Sequence, residues 1–141
     1  MFDPAQVTKI TVSESDWSGK TSSRVLSKQG GRWMHAGKAR DEAGVDAFLK
    51  NVRALGAESI PPKEDDESVY GFYPAAESWR LELGFRDGTN LVLDSGATKS
   101  EGSGWFAIVN YYVRISDLSD IVFVGEFDID GLRDDIDDIL R

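Results

Sequence analysis

The segment Trp79–Phe85 constrains the fold more than any other. Trp79, Leu81, Leu83 and Phe85 alternate with Arg80 and Glu82, which is the period of a strand with one buried face. Asp87-Gly88 follows; such a dipeptide reverses a chain cheaply, because glycine enters positive φ without a Cβ clash. Leu91 and Leu93 then resume the apolar face. The unit reads as a β-hairpin whose register is fixed by its turn.

Further strands read on either side of it. Val7–Val12 carries Val7, Ile10 and Val12 among threonines and a lysine, a strand composition. Ser13–Ser22 is polar and reads as a loop. Arg24–Ser27 and Arg32–His35 flank Lys28-Gln29-Gly30-Gly31, and the Gly-Gly pair predicts a tight hairpin turn. The Gly/Ser-rich stretch Ser95–Gly104 reads as a loop. Trp105–Val109 and Tyr111–Ile115 read as two short strands or as one long strand bulged at Asn110. Ile121–Val124 reads as a last short strand.

Two segments have helical period instead. Val45, Phe48, Leu49, Val52 and Leu55 form one apolar stripe, which predicts a helix over about 41–55. Asp41 is placed to cap its start and Gly56 to close its end. Leu132, Ile136, Ile139 and Leu140 predict a terminal helix over about 131–140, with Asp128 or Asp130 as cap. Between helix and hairpin, Ser59–Ser68 combines Pro61-Pro62 with Glu64-Asp65-Asp66-Glu67, the composition of an exposed, mobile loop. Tyr70-Gly71 is suited to pinning that loop to a sheet.

The order strands, helix, strands, helix, without regular βαβ alternation, predicts the α+β class. The sheet should be mostly antiparallel, built of hairpin-linked strands, with both helices packed on it. A length of 141 residues with no internal shift in composition is read as a single domain spanning 1–141.

Charge and composition narrow the function classes. The 16 basic and 25 acidic residues leave a net charge of −9. Such a surface repels a polyanion, so no nucleic-acid partner is expected. The absence of cysteine excludes disulfides, zinc-thiolate sites and thiol catalysis, and a single histidine excludes a two-histidine metal site. Apolar runs are of strand length only, well short of a membrane span. Met1-Phe2-Asp3-Pro4 lacks the pattern of an export signal. The expectation is a soluble chain, or a domain cut from a longer exported parent.

Several constellations invite a chemical reading. His35 is the one neutral-pH base available to a triad, but no Gly-x-Ser-x-Gly elbow supplies a nucleophile. Ser18-Gly19-Lys20-Thr21 resembles the tail of a phosphate loop, yet Glu14 stands where the first glycine of the cradle belongs. Glu126, Asp128, Asp130, Gly131, Asp134 and Asp137 fall at positions 1, 3, 5, 6, 9 and 12 of an EF-hand-like frame. That frame has Glu at its first position and the short Asp137 at its last, and the helical stripe begins inside it. The simpler reading is a set of acids favoured by a helix N-terminus. The aromatics Trp17, Trp33, Trp79, Trp105, Tyr70, Phe72, Tyr73, Tyr111 and Tyr112 are expected mainly in sheet packing. Trp79 and one of the adjacent tyrosines should enter the core, leaving the other tyrosine and Trp17 for the surface. No catalytic, cofactor-binding or metal-binding residue is assigned.

The order of landmarks resembles the bacterial family catalogued as domain of unknown function 4340. It runs from Val7-Thr-Lys-Ile-Thr-Val12 through Gly31-Arg-Trp33, Val45-Asp-Ala-Phe-Leu49 and Ala57-Glu58 to Tyr70-Gly71-Phe72 and Pro74. It continues through Trp79–Phe85, Asp87-Gly88, Leu91–Leu93, Tyr111-Tyr-Val-Arg114 and Ile121–Val124 to Leu132-Arg133-Asp134. The resemblance implies an extracytoplasmic or periplasmic domain held by a membrane anchor outside this chain, beside transport-related envelope proteins. It implies no catalytic residue.

The expectation is therefore a non-enzymatic protein-interaction domain of the cell envelope, an accessory to a transport system, with another envelope protein as partner and no cofactor. Without an anchor the same domain would be cytoplasmic. The alternative is a small-ligand or carbohydrate-binding module using exposed aromatics. A protein-contact domain should expose an apolar patch or an unpaired strand edge. A ligand binder should show a concave pocket with aromatic walls, and an enzyme two close carboxylates of displaced pKa.

Overall fold

The computed structural model describes residues 2–102 and 104–141. Met1, in the opening segment, and Ser103, within the stretch 95–104, lie outside the described residues. The protein is α+β. Eight antiparallel strands form one sheet: β1 (Val7–Ser15), β2 (Thr21–Gln29), β3 (Arg32–His35), β4 (Lys38–Ala39), β5 (Trp79–Phe85), β6 (Asn90–Glu101), β7 (Ile108–Ile115) and β8 (Val122–Gly125). Helix α1 (Glu42–Arg53) follows β4, and helix α2 (Glu126–Leu140) follows β8.

The spatial order is β4-β3-β2-β1-β5-β6-β7-β8. Two meanders thus meet where β5 pairs with β1. The apolar sides of the alternating strands all face the helices. Ile10, Val12, Leu26, Trp79, Leu81, Leu83, Leu93, Val113 and Val124 close on Val45, Phe48, Leu49, Val52, Ile129, Leu132 and Ile136 in one buried cluster. Burial of this stripe, worth roughly 25 cal/mol per Å2 of apolar surface, holds the helices to the sheet.

The opposite face is polar at its centre and covered only toward β8. There Tyr70, Tyr112 and Phe123 form a small second cluster, joined by Phe72. Tyr112 meets Tyr70 edge-on with ring centres 5.1 Å apart. The Tyr70 hydroxyl accepts the Glu64 N–H at 2.8 Å, and Ser59 bridges to Phe123 beside β8. The stretch 59–68 is thus docked onto the edge strand, with Pro61 buried.

The Gly30-Gly31 turn forms as expected: Gln29 pairs with Arg32, and both glycines take positive φ, 59° and 80°. Asp41 caps α1 through the Ala43 N–H. Other expectations are corrected. The expected loop 13–22 shrinks to residues 16–20: β1 runs to Ser15, and β2 resumes at Thr21 and ends at Gln29. Helix α1 stops at Arg53 with Ala54 as its cap, so Gly56 does not close it. Helix α2 begins at Glu126, not 131; its cap is Gly125, and Asp128 and Asp130 lie inside it. The stretch 95–104 is largely strand, since β6 extends to Glu101. Trp105 sits in a short 3-10 turn, Gly104–Phe106, ahead of a strand that begins at Ile108. The bulge is on β6, between Ser95 and Thr98, and not at Asn110.

Candidate functional site: a cleft between two hairpins

The β1–β2 and β6–β7 hairpins project at the same end of the sheet, because β5 between them starts only at Trp79, opposite Glu14 and Ser95. Beyond that start the two ribbons diverge and enclose a cleft of about 880 Å3. This is a size typical of ligand clefts, roughly 300–1,000 Å3. Glu14, Ser15, Lys20 and Thr21 line one wall, and Gly96, Ala97, Thr98 and Tyr111 the other. Gly71, Ala76 and Glu77 lie at the back, and Arg133 of α2 overhangs the opening.

Each wall has a local cause. The β1–β2 turn is organised by Asp16, whose carboxylate accepts the Ser18 N–H at 2.9 Å, the Ser18 hydroxyl at 2.6 Å and the Lys20 N–H at 3.0 Å. These bonds, the Ser18 hydroxyl first, hold the Asp16 carboxyl below the usual carboxylate range. The donors of Ser18-Gly19-Lys20-Thr21 are thus partly taken by the chain's own carboxylate, and the segment is a hairpin turn. Across the cleft, β6 bulges at Gly96-Ala97 because the Tyr70-Gly71 backbone presses on it. A Cβ at residue 96 would lie 2.0 Å from the Tyr70 carbonyl oxygen.

The back wall is pinned through the sheet. Asp94, 2% exposed, accepts Arg80 Nε at 2.6 Å and Arg114 Nη2 at 2.9 Å. The outward faces of both guanidinium groups stack on rings of the covering segment, Arg80 on Tyr73 at 5.1 Å and Arg114 on Phe72 at 4.4 Å. The hydrogen bond that Arg80 donates to Asp94 strengthens the hold of Arg80 on its proton. Residues 77 and 78 then run along β1: Ser15 N–H donates to the Ser78 carbonyl at 3.1 Å, and Glu77 N–H to the Asp16 carbonyl at 3.2 Å. Glu77 takes φ +64° to make this path.

Helix α2 is tied to the same end. Arg24 bridges Glu14 at 2.9 Å and Asp137 at 2.5 Å. The Tyr111 hydroxyl donates to Asp130 at 2.7 Å. Burial first, then that bond and the charge of Asp130, push the Tyr111 hydroxyl up to about 12. Arg133 forms a looser ion pair with Glu14 at 3.8 Å, beyond hydrogen-bond reach. Ser15, 4% exposed, borders the cleft, and its buried hydroxyl has no hydrogen-bond partner among the described residues.

The remaining candidates are dispersed. His35 donates its Nδ1–H to the Val25 carbonyl at 2.8 Å, on β3 away from the cleft. The acids from Glu126 to Asp137 ride on one continuous helix, and among the described residues no group of three His, Cys, Asp or Glu side chains converges as a metal site would require. Trp33, Trp79 and Tyr112 are buried, and Tyr111 is half-buried. Trp17 is 81% and Trp105 100% exposed, one on each projecting hairpin tip. Sequence reasoning missed the cleft because its wall residues carry no periodic signal. Gly96 within a Ser/Thr-rich run was the available clue, since an isolated glycine in a strand marks a bulge.

Along the far part of β6 the edge facing the cleft is unpaired. β5 bonds β6 only as far as Ser95, and residues 98–101 pair with β7 alone. The Ser116 N–H donates to the Val92 carbonyl, so the alternation along β7 directs Asn110 and Ile108 toward Lys99 and Glu101. Thr98 and Ser100 therefore turn their N–H and C=O groups into the open lane. Among the described residues no helix is long and apolar enough to cross a membrane. Comparison with protein-family models, with curated proteins and with solved structures finds no match for this chain.

Proposed function

We propose that this chain is a non-catalytic protein-interaction domain of the bacterial cell envelope, an accessory to a transport system. The observation that carries the contact role is the unpaired β6 edge, Thr98 to Glu101, beside the fully exposed Trp105. Sheet proteins normally cover or blunt such an edge. This one does so elsewhere: β4 has two residues, and Ser59 bridges beside β8. Trp105 offers a large, rigid apolar contact of the kind that dominates interfaces. The envelope setting is supported by the landmark resemblance. A carbohydrate-binding role is less well supported, because Tyr111 is the one aromatic among the described residues of the cleft lining and its hydroxyl is engaged by Asp130.

The test is site-specific photo-crosslinking in cells from position 105, with exposed position 46 on α1 as control. The expected result is one adduct with an envelope protein, formed from position 105 alone and lost in Ser100→Pro. Identical adducts from both positions, or adducts with cytosolic proteins only, overturn the proposal.

A further inference from the structure

We infer that the occupant of the open β6 edge is a second copy of this chain, joined edge to edge about a two-fold axis at Ser100. This rests on the protein-contact reading above and names the partner at that edge.

Two like edges related by a two-fold axis through the sheet run antiparallel and present the same residues to each other. The outer half of β6 supplies what such a pair needs. Ser100 turns its N–H and C=O into the open lane, so at the axis it exchanges both main-chain bonds with Ser100 of the second copy. Lys99 and Glu101 direct their main chain at Asn110 and Ile108 of β7. They therefore fall at the non-hydrogen-bonded positions of the new pair, where facing side chains lie closest.

Charge selects the register. Centred on Ser100, Lys99 stands opposite Glu101 of the second copy, and by symmetry Glu101 stands opposite its Lys99. Centring on Lys99 would set two ammonium groups together, and centring on Glu101 two carboxylates, each unfavourable. Centring on Thr98 would set Ser100 against the bulge at Gly96. Lys99 and Glu101 are exposed, and among the described residues neither has an ion-pair partner within its own chain. Charged side chains on an edge normally deter pairing; these two deter every register but one. A two-fold pair is also closed, since it uses both edges and leaves none to extend into a fibre.

The neighbouring hairpin leaves room for this pair. Glu14, Trp79 and Ser95 lie level across β1, β5 and β6; β1 ends one residue further, at Ser15, while β6 continues past its bulge to Glu101. The axis at Ser100 thus lies on the far-projecting part of β6. From there the second copy runs inward, and its turn bearing Trp105 arrives at the mouth of the cleft. That side chain is fully exposed in the single chain. The cleft lining includes Gly71, Ala76, Gly96 and Ala97, which have no side chain beyond Cβ and leave space for an indole. The unpaired edge, the two unpaired charges and the exposed tryptophan then share one occupant.

Sedimentation equilibrium of the purified chain tests this, with Lys99→Glu and Glu101→Lys made as separate variants. An edge contact this small associates weakly, so the wild type should pass from monomer towards dimer between about 10 μM and about 1 mM. Each variant replaces both opposite-charge pairs by like-charge pairs and should weaken dimerisation by about tenfold or more. Both positions are exposed, so both variants should fold. Mixed in equal amounts the two should form a heterodimer, because the mixture restores opposite charges at both places. Ser100→Pro should stay monomeric throughout. A wild type that remains monomeric across that range, or a dimer indifferent to Ser100→Pro and to the mixing, overturns the inference. The crosslink from position 105 then judges the reading beneath it. An adduct with a different envelope protein, lost in Ser100→Pro, leaves the protein-contact reading standing, and the absence of any adduct overturns both.

Discussion

The two halves of β6 are one strand under two regimes. From Asn90 to Ser95 it is paired with β5, from Leu93 onward with β7 as well, and Leu91, Leu93 and Asp94 are buried. From Thr98 to Glu101 it is paired on one side and exposed. Gly96 and Ala97 separate the halves. The inner half serves the core, and the outer half is held as strand by β7 alone. The difference shows that strand length here follows from pairing, while strand legibility follows from burial.

The largest test acts at the boundary. Gly96→Ala should cost about 3 kcal/mol or more, since its Cβ would meet a backbone carbonyl that no rotamer change can move. Urea unfolding of the variant measures this. A cost under about 1 kcal/mol would mean that Tyr70-Gly71 is free to retreat, and the bulge would then not be set by that contact.

The next test acts on the inner half. Asp94→Asn keeps the shape but leaves two guanidinium groups sharing a neutral amide. A loss of about 2 kcal/mol is expected, toward the lower end for a buried ionic pair because Arg80 and Arg114 are partly solvated. Lys99→Pro should cost a similar amount, about 2 kcal/mol, by deleting a ladder bond to Asn110. Thermal unfolding reads both. If Asp94→Asn is neutral, the covering segment is held by ring stacking and not by the carboxylate.

These effects bear on what the sequence made legible. The α+β class, the Trp79–Phe85 hairpin, the Gly30-Gly31 turn and the apolar stripe of α1 were all readable, because each has a buried face that imposes a period. The outer half of β6 was not. Ser95–Gly104 has no apolar alternation, since neither of its faces past the bulge is buried. Trp105 was expected in a strand on propensity alone, and it stands instead on a turn. The start of α2 was missed because Glu126–Gly131 is acidic and only Ile129 enters the core from it. The cleft depends on contacts between residues far apart in the chain, Ser15 with Ser78 and Gly71 with Ala97, which no local pattern encodes.

A smaller effect should appear at Tyr111, which faces Thr98 across the ladder. Tyr111→Phe removes the bond to Asp130 at a cost of about 1 kcal/mol near neutrality. Its pH dependence is the sharper readout. The folded hydroxyl titrates at about 12 against an ordinary 10.0, so folding favours the protonated form. The stabilisation is complete below pH 10 and falls away as pH rises toward 12. The wild type should lose stability over that window, and Tyr111→Phe should lose less. Equal slopes would place the Tyr111–Asp130 bond outside the forces that seat α2 against the outer half.

The smallest effect on folding belongs to Ser100→Pro. Its N–H points into the open lane and has no strand partner, so proline there removes no ladder bond and fits an edge position. A cost under about 0.5 kcal/mol is expected, against the larger loss for its neighbour Lys99, whose N–H faces β7. The contrast between adjacent residues isolates the direction of the amide from every other property of the strand. Equilibrium unfolding of the two variants side by side decides it. Equal losses would mean that the outer lane is not open, and with it would go the edge on which the contact role depends. Unequal losses would leave Ser100→Pro as a well-folded protein with its docking edge blocked, in which any remaining partner binding must come from Trp105 or from the far hairpin tip at Trp17.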